Sequence, residues 1–225
     1  MFNLKPLLMK NLVIILGVIL LFYSCEKNDK PVQENDLTSD YLPMAVGNYW
    51  VYEIQDFDTL GHAFPQISYD SILISNDTLI HSIKYYRFDN FHINSANTYL
   101  AETIFCQDSS RNLISSTGQL LFSEYNFTDT LLKKVEFFED DTIFTVTYKM
   151  EKLNTDFSVP VGSFNDLLNV KGTVICNPQF IRLKNPRYTN KYYAKETGVI
   201  FQEQIWLGSG STREKKLVRY HIVKE

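Results

Sequence analysis

The chain has 225 residues, enough for one sizeable domain or two small ones, and its 44% apolar and 21% charged residues exclude an intrinsically disordered protein. Its formal net charge is −4, and without residues 1–24 it keeps 20 basic against 26 acidic residues. Because no basic stripe remains, we exclude nucleic acid as a partner. Aromatic residues reach 14%, which favours strands, since aromatic side chains suit a pleated, half-buried surface.

The first 24 residues have the pattern of an export signal. Lys5 and Lys10 precede twelve uncharged residues, 12–23, which match the apolar core of a signal peptide, about 7–15 residues long. This run is shorter than the roughly 20 apolar residues that a membrane-spanning helix needs. We therefore predict a cleaved N-terminal signal helix over residues 1–24. The alternative is an uncleaved signal anchor followed by an incidental cysteine.

The run ends in a motif with a specific resemblance. Residues 21–25, Leu-Phe-Tyr-Ser-Cys, resemble the bacterial lipobox, in which a small residue precedes a cysteine that receives diacylglycerol. Phe22 and Tyr23 depart from the strict motif and match the looser form found in lipoproteins of the Bacteroidota, where a polar stretch such as residues 26–30 often follows. The resemblance implies that Cys25 carries lipid and holds the chain to a membrane of the bacterial cell envelope. The implied address is the outer membrane, with the protein facing either the periplasm or the cell surface.

The residues after the signal divide into a polar segment and a longer apolar-rich segment. Residues 26–40 have almost no apolar content, so we predict that residues 25–40 are the lipidated cysteine and a flexible tether with a reach of roughly 20 Å. From residue 41 to residue 225 there is no Pro-, Ser- or Gly-rich break. We predict a single β domain over residues 41–225.

Short alternating runs separated by turn residues predict about ten strands in this domain. The clearest of them cover residues 49–55, 67–75, 79–88, 98–105, 119–127, 135–138, 142–152, 199–206 and 216–223. No window has a sustained 3.6-residue stripe, and residues 165–170 match a helical turn and the start of a strand equally well. The predicted fold is mostly β: an antiparallel, strongly curved sheet or a half-barrel or barrel of about ten strands.

The alternation also predicts which side chains face the core. The predicted inward residues are Trp50, Tyr52 and Ile54 on the first strand and Phe144, Val146, Tyr148 and Met150 further on. Near the end, Val218, Tyr220 and Ile222 face the core if Arg219 and His221 face water. Turn chemistry places one hairpin turn at residues 76–78 and another at residues 139–141.

Three segments together resemble a group of proteins. Residues 47–52 (GNYWVY), 159–166 (VPVGSFND) and 191–200 (KYYAKETGVI) are similar to segments of uncharacterised Bacteroidota lipoproteins. The β domain of those proteins is similar to the curved half-barrels of periplasmic lipid and lipoprotein carriers. The resemblance covers most of residues 41–225 and implies a carrier-like fold, with no attached chemistry.

Two cysteines remain in the domain. Outside the cytoplasm Cys106 and Cys176 are a candidate disulfide, which would be worth about 4 kcal/mol by the chain-entropy estimate if their Cα atoms lie within about 7 Å. Two buried free thiols are the alternative.

The residues that carry catalytic or metal chemistry show no suitable pattern. The histidines His62, His81, His92 and His221 have no metal-ligand spacing, and no nucleophile elbow or phosphate-binding glycine motif occurs. The acids at 139–141 alternate in direction on a turn and are predicted to be solvated. We predict no catalytic residue, no metal site and no cofactor, and therefore a protein that is not an enzyme.

A repeated tripeptide is a candidate modification signal. Asp-(Ser/Thr)-aliphatic is similar to the O-glycosylation motif of exported Bacteroidota proteins, and it occurs five times. The candidate acceptors are Thr59, Ser71, Thr78, Thr130 and Thr142. The alternative is that Asp ends turns and Thr-aliphatic begins strands.

These observations leave two functions in competition. The first is an envelope lipoprotein whose β domain binds an apolar ligand or serves as an accessory subunit of an envelope protein, with Trp50, Tyr52, Phe144 and Tyr148 as candidate wall residues of a ligand-binding face. The second is a surface carbohydrate-binding or adhesion module that uses exposed aromatic rings to bind a glycan. An envelope hydrolase would require a clustered acid pair or triad that the sequence does not indicate.

Overall fold

The computed structural model describes residues 38–180 and 185–223. The predicted signal peptide, Cys25 and most of the predicted tether lie outside these residues. The described residues form fourteen strands and no helix. The strands are β1 (Tyr49–Phe57), β2 (Ala63–Ile80), β3 (Ile83–Ile93), β4 (Thr98–Ser109), β5 (Asn112–Ser115), β6 (Leu120–Ser123), β7 (Leu132–Phe138), β8 (Asp141–Leu153), β9 (Phe157–Val159), β10 (Gly162–Phe164), β11 (Leu167–Cys176), β12 (Arg187–Ala194), β13 (Gly198–Ile205) and β14 (Thr212–His221). No helix in this part of the chain is long and apolar enough to cross a membrane.

Twelve of the strands form one antiparallel sheet. Their order is β6-β5-β4-β3-β2-β1-β14-β13-β12-β11-β8-β7, and β9 and β10 form a separate hairpin. The sheet curves until it is nearly closed into a barrel, which confirms the predicted antiparallel half-barrel, with twelve strands in place of about ten. The two edge strands, β6 and β7, are not hydrogen-bonded to each other.

Apolar side chains bring the two edges of the sheet together. Phe122 on β6 is fully buried in one cluster with Leu131, just before β7, and Met150 on β8. Its ring centroid lies 4.4 Å from that of Tyr193 on β12 and 6.2 Å from that of Tyr41, which precedes β1. Side-chain packing therefore closes the sheet at this point, where backbone hydrogen bonds do not.

The inward faces of β1 and β8 are as predicted. Trp50 and Tyr52 belong to the main core cluster, while Val146 and Met150 are buried in two further clusters. The turn at residues 139–140 joins β7 to β8, with Glu139 at a φ of 53°. β11 begins at Leu167, two residues into the segment 165–170, so of the two alternatives for this segment the structure takes the strand.

The turn between β2 and β3 was predicted at the wrong residues. The hairpin turns at His81 and Ser82, whose φ angles of 51° and 66° are those of a tight two-residue turn. Residues 76–78 continue β2. The polar residues that suggested a turn lie next to a register shift between Ile74 and Asn76 in the pairing of β2 with β3.

The predicted inward face of β14 is right at its end and wrong before it. Ile222, just after the strand, packs against the main core cluster, whereas further back Leu217, and not Val218, is the fully buried residue. The cause is a bulge, because Val51 pairs with Arg219 while the next residue, Tyr52, pairs with Leu217. The extra residue reverses the alternation that the sequence suggests.

One glycine on the concave side leaves room for an aromatic ring. Gly172 on β11 pairs directly with Tyr148 on β8. A Cβ at this position would overlap the Thr189 hydroxyl and lie 2.9 Å from Cε1 of Tyr148. The missing side chain therefore sets where the Tyr148 ring lies over the sheet.

Candidate functional site

The concave side of the sheet encloses an apolar cavity of about 410 Å³. This volume falls within the range of about 300–1,000 Å³ typical of small-molecule sites. Its apolar end lies between the segment before β1 and the strands β5, β6, β7 and β11. The residues that line this end are Leu42, Met44, Leu113, Leu120, Leu132 and Val170.

Aromatic side chains form a second part of the cavity wall, and their polar tips are bonded to the backbone. The Trp50 indole Nε1 donates to the carbonyl of Thr197 at 2.6 Å, and the Tyr52 hydroxyl donates to the carbonyl of Val199 at 2.9 Å. Burial raises the pKa of Tyr52 well above its ordinary value, and Tyr193 and Asp70 act in the same direction. Because these polar groups are satisfied, the rings present apolar surface to the cavity.

The structure brings three of the four predicted wall residues together. Trp50, Tyr52 and Tyr148 line the cavity, whereas Phe144 lines a smaller neighbouring depression with Val146. The apolar end was missed, because the segment before β1 and the short strands β5 and β6 are remote in sequence from the predicted wall. The run of apolar residues at 120–122 is the sequence feature that could have indicated this apolar end of the cavity.

A polar section of about 210 Å³ adjoins the apolar cavity. The two share several wall residues, including Tyr52 and Lys191. The polar side chains that line this section are Asp70, Asn90, Glu102, Gln202, Gln204 and Lys215. The concave side therefore changes from apolar to polar along its length, with Lys191 at the boundary.

The alternation of side chains along β12 directs Lys191 to the concave side of the sheet. Thr189, Lys191 and Tyr193 occupy every second position and all line the cavity, while the Lys191 backbone N–H donates to Oδ1 of Asn169 at 3.1 Å. Within residues 38–180 and 185–223, its ammonium group has no hydrogen bond and no ion pair. Burial lowers the pKa of Lys191, and the charge of Lys215 lowers it further.

The other charges of the polar section are paired. Asp70 is buried, with its carboxylate bonded to the Lys215 ammonium and, at 2.8 Å, to Nδ1 of His92. Further out, Arg213 donates two hydrogen bonds to Asp56 at 2.7 and 2.8 Å. The hydrogen bond from Arg213 holds the pKa of Asp56 below its ordinary value.

The polar section opens into a wider mouth of about 840 Å³. Both contain Asp70, Asn90 and Lys215. Exposed aromatic side chains stand in the wall of the mouth, namely Phe64, Tyr99 and Trp206.

The two domain cysteines are free and buried, so the structure does not join them in the candidate disulfide. Cys106 lies on the cavity wall near Lys191, whereas the backbone of Cys176 is bonded to the side chain of Asn185. Burial raises the pKa of the Cys106 thiol to about 11.

The remaining predicted sites have these positions. Among the described residues, no three His, Cys, Asp or Glu side chains are grouped in a way that could hold a metal ion. Thr59 and Thr130 are exposed outside strands, while Ser71 and Thr78 on β2 and Thr142 on β8 are half-buried within strands. Glycosylation of these residues and lipidation of Cys25, which lies outside the described residues, stay predictions.

No protein-family model and no curated protein matches the chain. Two solved structures are similar to it. One is a candidate lipoprotein from Parabacteroides distasonis, with 12% identity and a TM-score of 0.47, and the other is a candidate exported protein with a YmcC-like fold from Bacteroides fragilis, with 11% identity and a TM-score of 0.39. Each match covers 80% of this chain and 98% of the other. Both proteins come from the Bacteroidota, the phylum whose lipoproteins the N-terminal motif resembles. At these scores the likeness does not assign a ligand or a role.

Proposed function

We propose that this chain is a lipid-anchored protein of the cell envelope, not an enzyme, whose β domain holds an apolar ligand on its concave side. The observation that carries the proposal is the cavity of about 410 Å³ lined by leucines and by aromatic rings. A concave apolar space of this size, partly open to solvent, has the shape and lining typical of a small-molecule site.

The exposure of individual wall residues supports a ligand rather than a packed core. Ile104 on β4 lines the cavity, yet 39% of its surface is exposed. An apolar side chain that faces a concave space can be covered by a ligand, and each methylene that moves from water into such a space contributes about 0.8 kcal/mol.

The test compares two isoleucines changed to the same larger residue. The mature chain, residues 25–225 with Cys25→Ser, is stripped of bound lipid and titrated with a neutral hydrophobic dye such as Nile red. We expect one dye per chain, and we expect Ile104→Trp to lose most of the binding because the indole fills the cavity. Ile175→Trp is the matched control, since Ile175 is 57% exposed and does not line the cavity. Absence of binding, or equal binding by both variants, would contradict the proposal.

The anchor is tested separately. In the full chain, Cys25→Ser removes the thiol that lipid transfer requires, so we expect the protein to leave the membrane fraction. Labelling with radioactive fatty acid supplies the direct measurement. A wild-type chain that never incorporates label would contradict the anchor without bearing on the cavity.

A carbohydrate-binding role is the second candidate, favoured by the wide polar mouth. Phe64, Tyr99 and Trp206 each have nearly half of their surface exposed there, close to polar side chains such as Asn90 and His92. Exposed rings next to hydrogen-bonding groups are suited to stacking on a sugar. Binding on a glycan array that is lost in Trp206→Ala and retained in Ile104→Trp would favour this role over the first.

A further inference from the structure

We propose that the ligand of the cavity is a long-chain amphiphile with an anionic headgroup, whose head lies against Lys191 and whose chain extends into the apolar end. The inference rests on the proposed function and names the class of ligand that the cavity takes. It follows from the position of one lysine, from the groups around it and from the partners that those groups already have.

Lys191 stands where the two chemical environments meet. On one side lie the leucines of the apolar cavity, including Leu113 and Leu120, and on the other lie the polar groups around Asp70. An amphiphile has the same division along its length, with a polar head joined to an apolar chain. A head placed at Lys191 therefore puts the chain in the apolar end and leaves the head open to the polar section.

The acids near Lys191 do not neutralise it. Asp70 is engaged by Lys215 and His92, and Glu203 accepts a hydrogen bond from Nδ2 of Asn190 at 2.6 Å. Glu102 on β4 also lines the polar section, but it is exposed and forms no ion pair with Lys191. A half-buried charge that lacks a partner among the described residues is costly, and an anion bound beside it offsets that cost.

The remaining groups that face Lys191 favour a negative ligand over a positive one. Lys215 on β14 and Lys134 on β7 add positive charge, and the Cys106 thiol on β4 is neutral at physiological pH because burial raises its pKa to about 11. Within the part of the chain that the structure describes, Glu102 is the acid whose charge acts on Lys191. Lys215 is itself paired with Asp70, so the positive charge left to attract a ligand is that of Lys191, with Lys134 adding to it and Glu102 opposing it. An ammonium group in this setting is suited to a carboxylate or a phosphate.

The experiment compares ligands with the same chain and different heads. Dodecanoate, dodecyl phosphate, 1-dodecanol and dodecyltrimethylammonium, each kept below the concentration at which it aggregates, compete with Nile red on the mature Cys25→Ser chain at about pH 7.5. We expect the two anions to bind about tenfold or more tightly than the alcohol, and the cation most weakly. A larger preference for phosphate assigns a phospholipid-type head, and a larger preference for carboxylate assigns a fatty acid.

Three variants link the preference to this residue. Lys191→Gln should bind the alcohol within about twofold of wild type and lose the preference for anions, whereas Lys191→Arg should keep the preference. Lys133→Gln is the control, because Lys133 is exposed on β7 and lines none of these spaces. If the alcohol binds as tightly as the anions, or if Lys191→Gln keeps the preference, this inference is overturned while the apolar cavity stands. If no ligand displaces the dye and the dye itself does not bind, the proposed function fails as well.

Discussion

The two ends of the concave side differ in what holds them together. Where β5 and β6 meet β7 and β8, the contacts are apolar, with Phe122 packed among Tyr41, Tyr193 and Met150. Toward the mouth, charged pairs cross the inner face of the same sheet, such as Asp56–Arg213. At the first end, apolar packing joins the edge strands β6 and β7, which are not hydrogen-bonded to each other. At the mouth, each charged side chain is tolerated because it has a partner of opposite charge.

Lys191 lies between these two ends and follows neither rule, since it is charged and its ammonium group has no ion pair within the described ranges. The comparison teaches that burial alone does not decide how an interior charge affects the stability of the fold. The effect depends on whether the charge has a partner of opposite sign. Four changes would break or sharpen this comparison.

Phe122→Ala should have the largest effect, because it removes the ring that joins the two edges of the sheet. We expect the free energy of unfolding to fall by about 3–5 kcal/mol, as measured by urea denaturation. Phe137→Ala is the control, since Phe137 is 58% exposed on β7, and it should lose less than about 1 kcal/mol. Similar losses in the two variants would mean that Phe122 does not close the sheet.

Asp70→Asn should come next. The change leaves the Lys215 ammonium without its carboxylate in a place where both side chains are largely buried, so we expect a loss of about 3 kcal/mol near pH 7. Asp77→Asn is the matched control, because the Asp77–Lys84 pair lies at the surface and should contribute little. An Asp70 variant as stable as wild type would show that paired charge is not what holds the mouth.

Gly172→Ala should cost about 1–3 kcal/mol, because the added methyl overlaps Thr189 and crowds the Tyr148 ring. We also expect weaker dye binding, since the displaced ring would move into the cavity. The same change at Gly208, where nothing lies within 4 Å of the added atom, should leave both stability and dye binding unchanged. If Gly172→Ala matches the Gly208 variant, the ring position does not depend on the glycine.

Lys191→Met should have the smallest effect and the opposite sign. In the lipid-free protein at about pH 7 we expect no loss of stability and a gain of up to about 1 kcal/mol, because the variant lacks a half-buried ammonium group that has no partner among the described residues. The pKa of Lys191 is lowered from 10.5 in the folded state, so the unfolded chain binds this proton more tightly. Wild-type stability should therefore rise relative to the variant as the pH increases from the lowered pKa toward 10.5.

The measurement for this last prediction is the difference between the two unfolding free energies across that pH range. Subtraction removes the titration of groups that do not interact with Lys191, whereas the difference reports Lys191 together with the groups that act on it, namely Lys215, Lys134, Glu102 and Cys106. A variant less stable than wild type near pH 7 would indicate that the ammonium has a stabilising partner in the folded protein.

Much of the fold was accessible from local patterns. Alternation over β1 and β8 identified the inward residues correctly, because side chains in a strand alternate between the two faces of the sheet. Alternation failed at β14, where the bulge opposite Val51 adds one residue, and at β2, where a register shift beside Asn76 resembled a turn. Such irregularities depend on the partner strand and leave little trace in the chain that contains them.

The candidate site was accessible only in part. Trp50, Tyr52 and Tyr148 were predicted as wall residues from their place in alternating strands, and all three line the cavity. Lys191 could not be singled out, because one lysine in an aromatic strand is usually a solvated side chain. Its importance depends on Asp70 being engaged by Lys215 and His92, residues that lie far apart in sequence.

The sequence by itself determined the mostly β composition and the inward alternation of individual strands, and it supplied the prediction of an export motif around Cys25, because all of these depend on residues close together along the chain. Only the tertiary structure decided that the sheet has twelve strands, that its edges meet through Phe122, and that an unpaired ammonium stands between an apolar cavity and a polar mouth. Curvature, register and the pairing of charges are settled between strands, so each depends on contacts that no single segment contains.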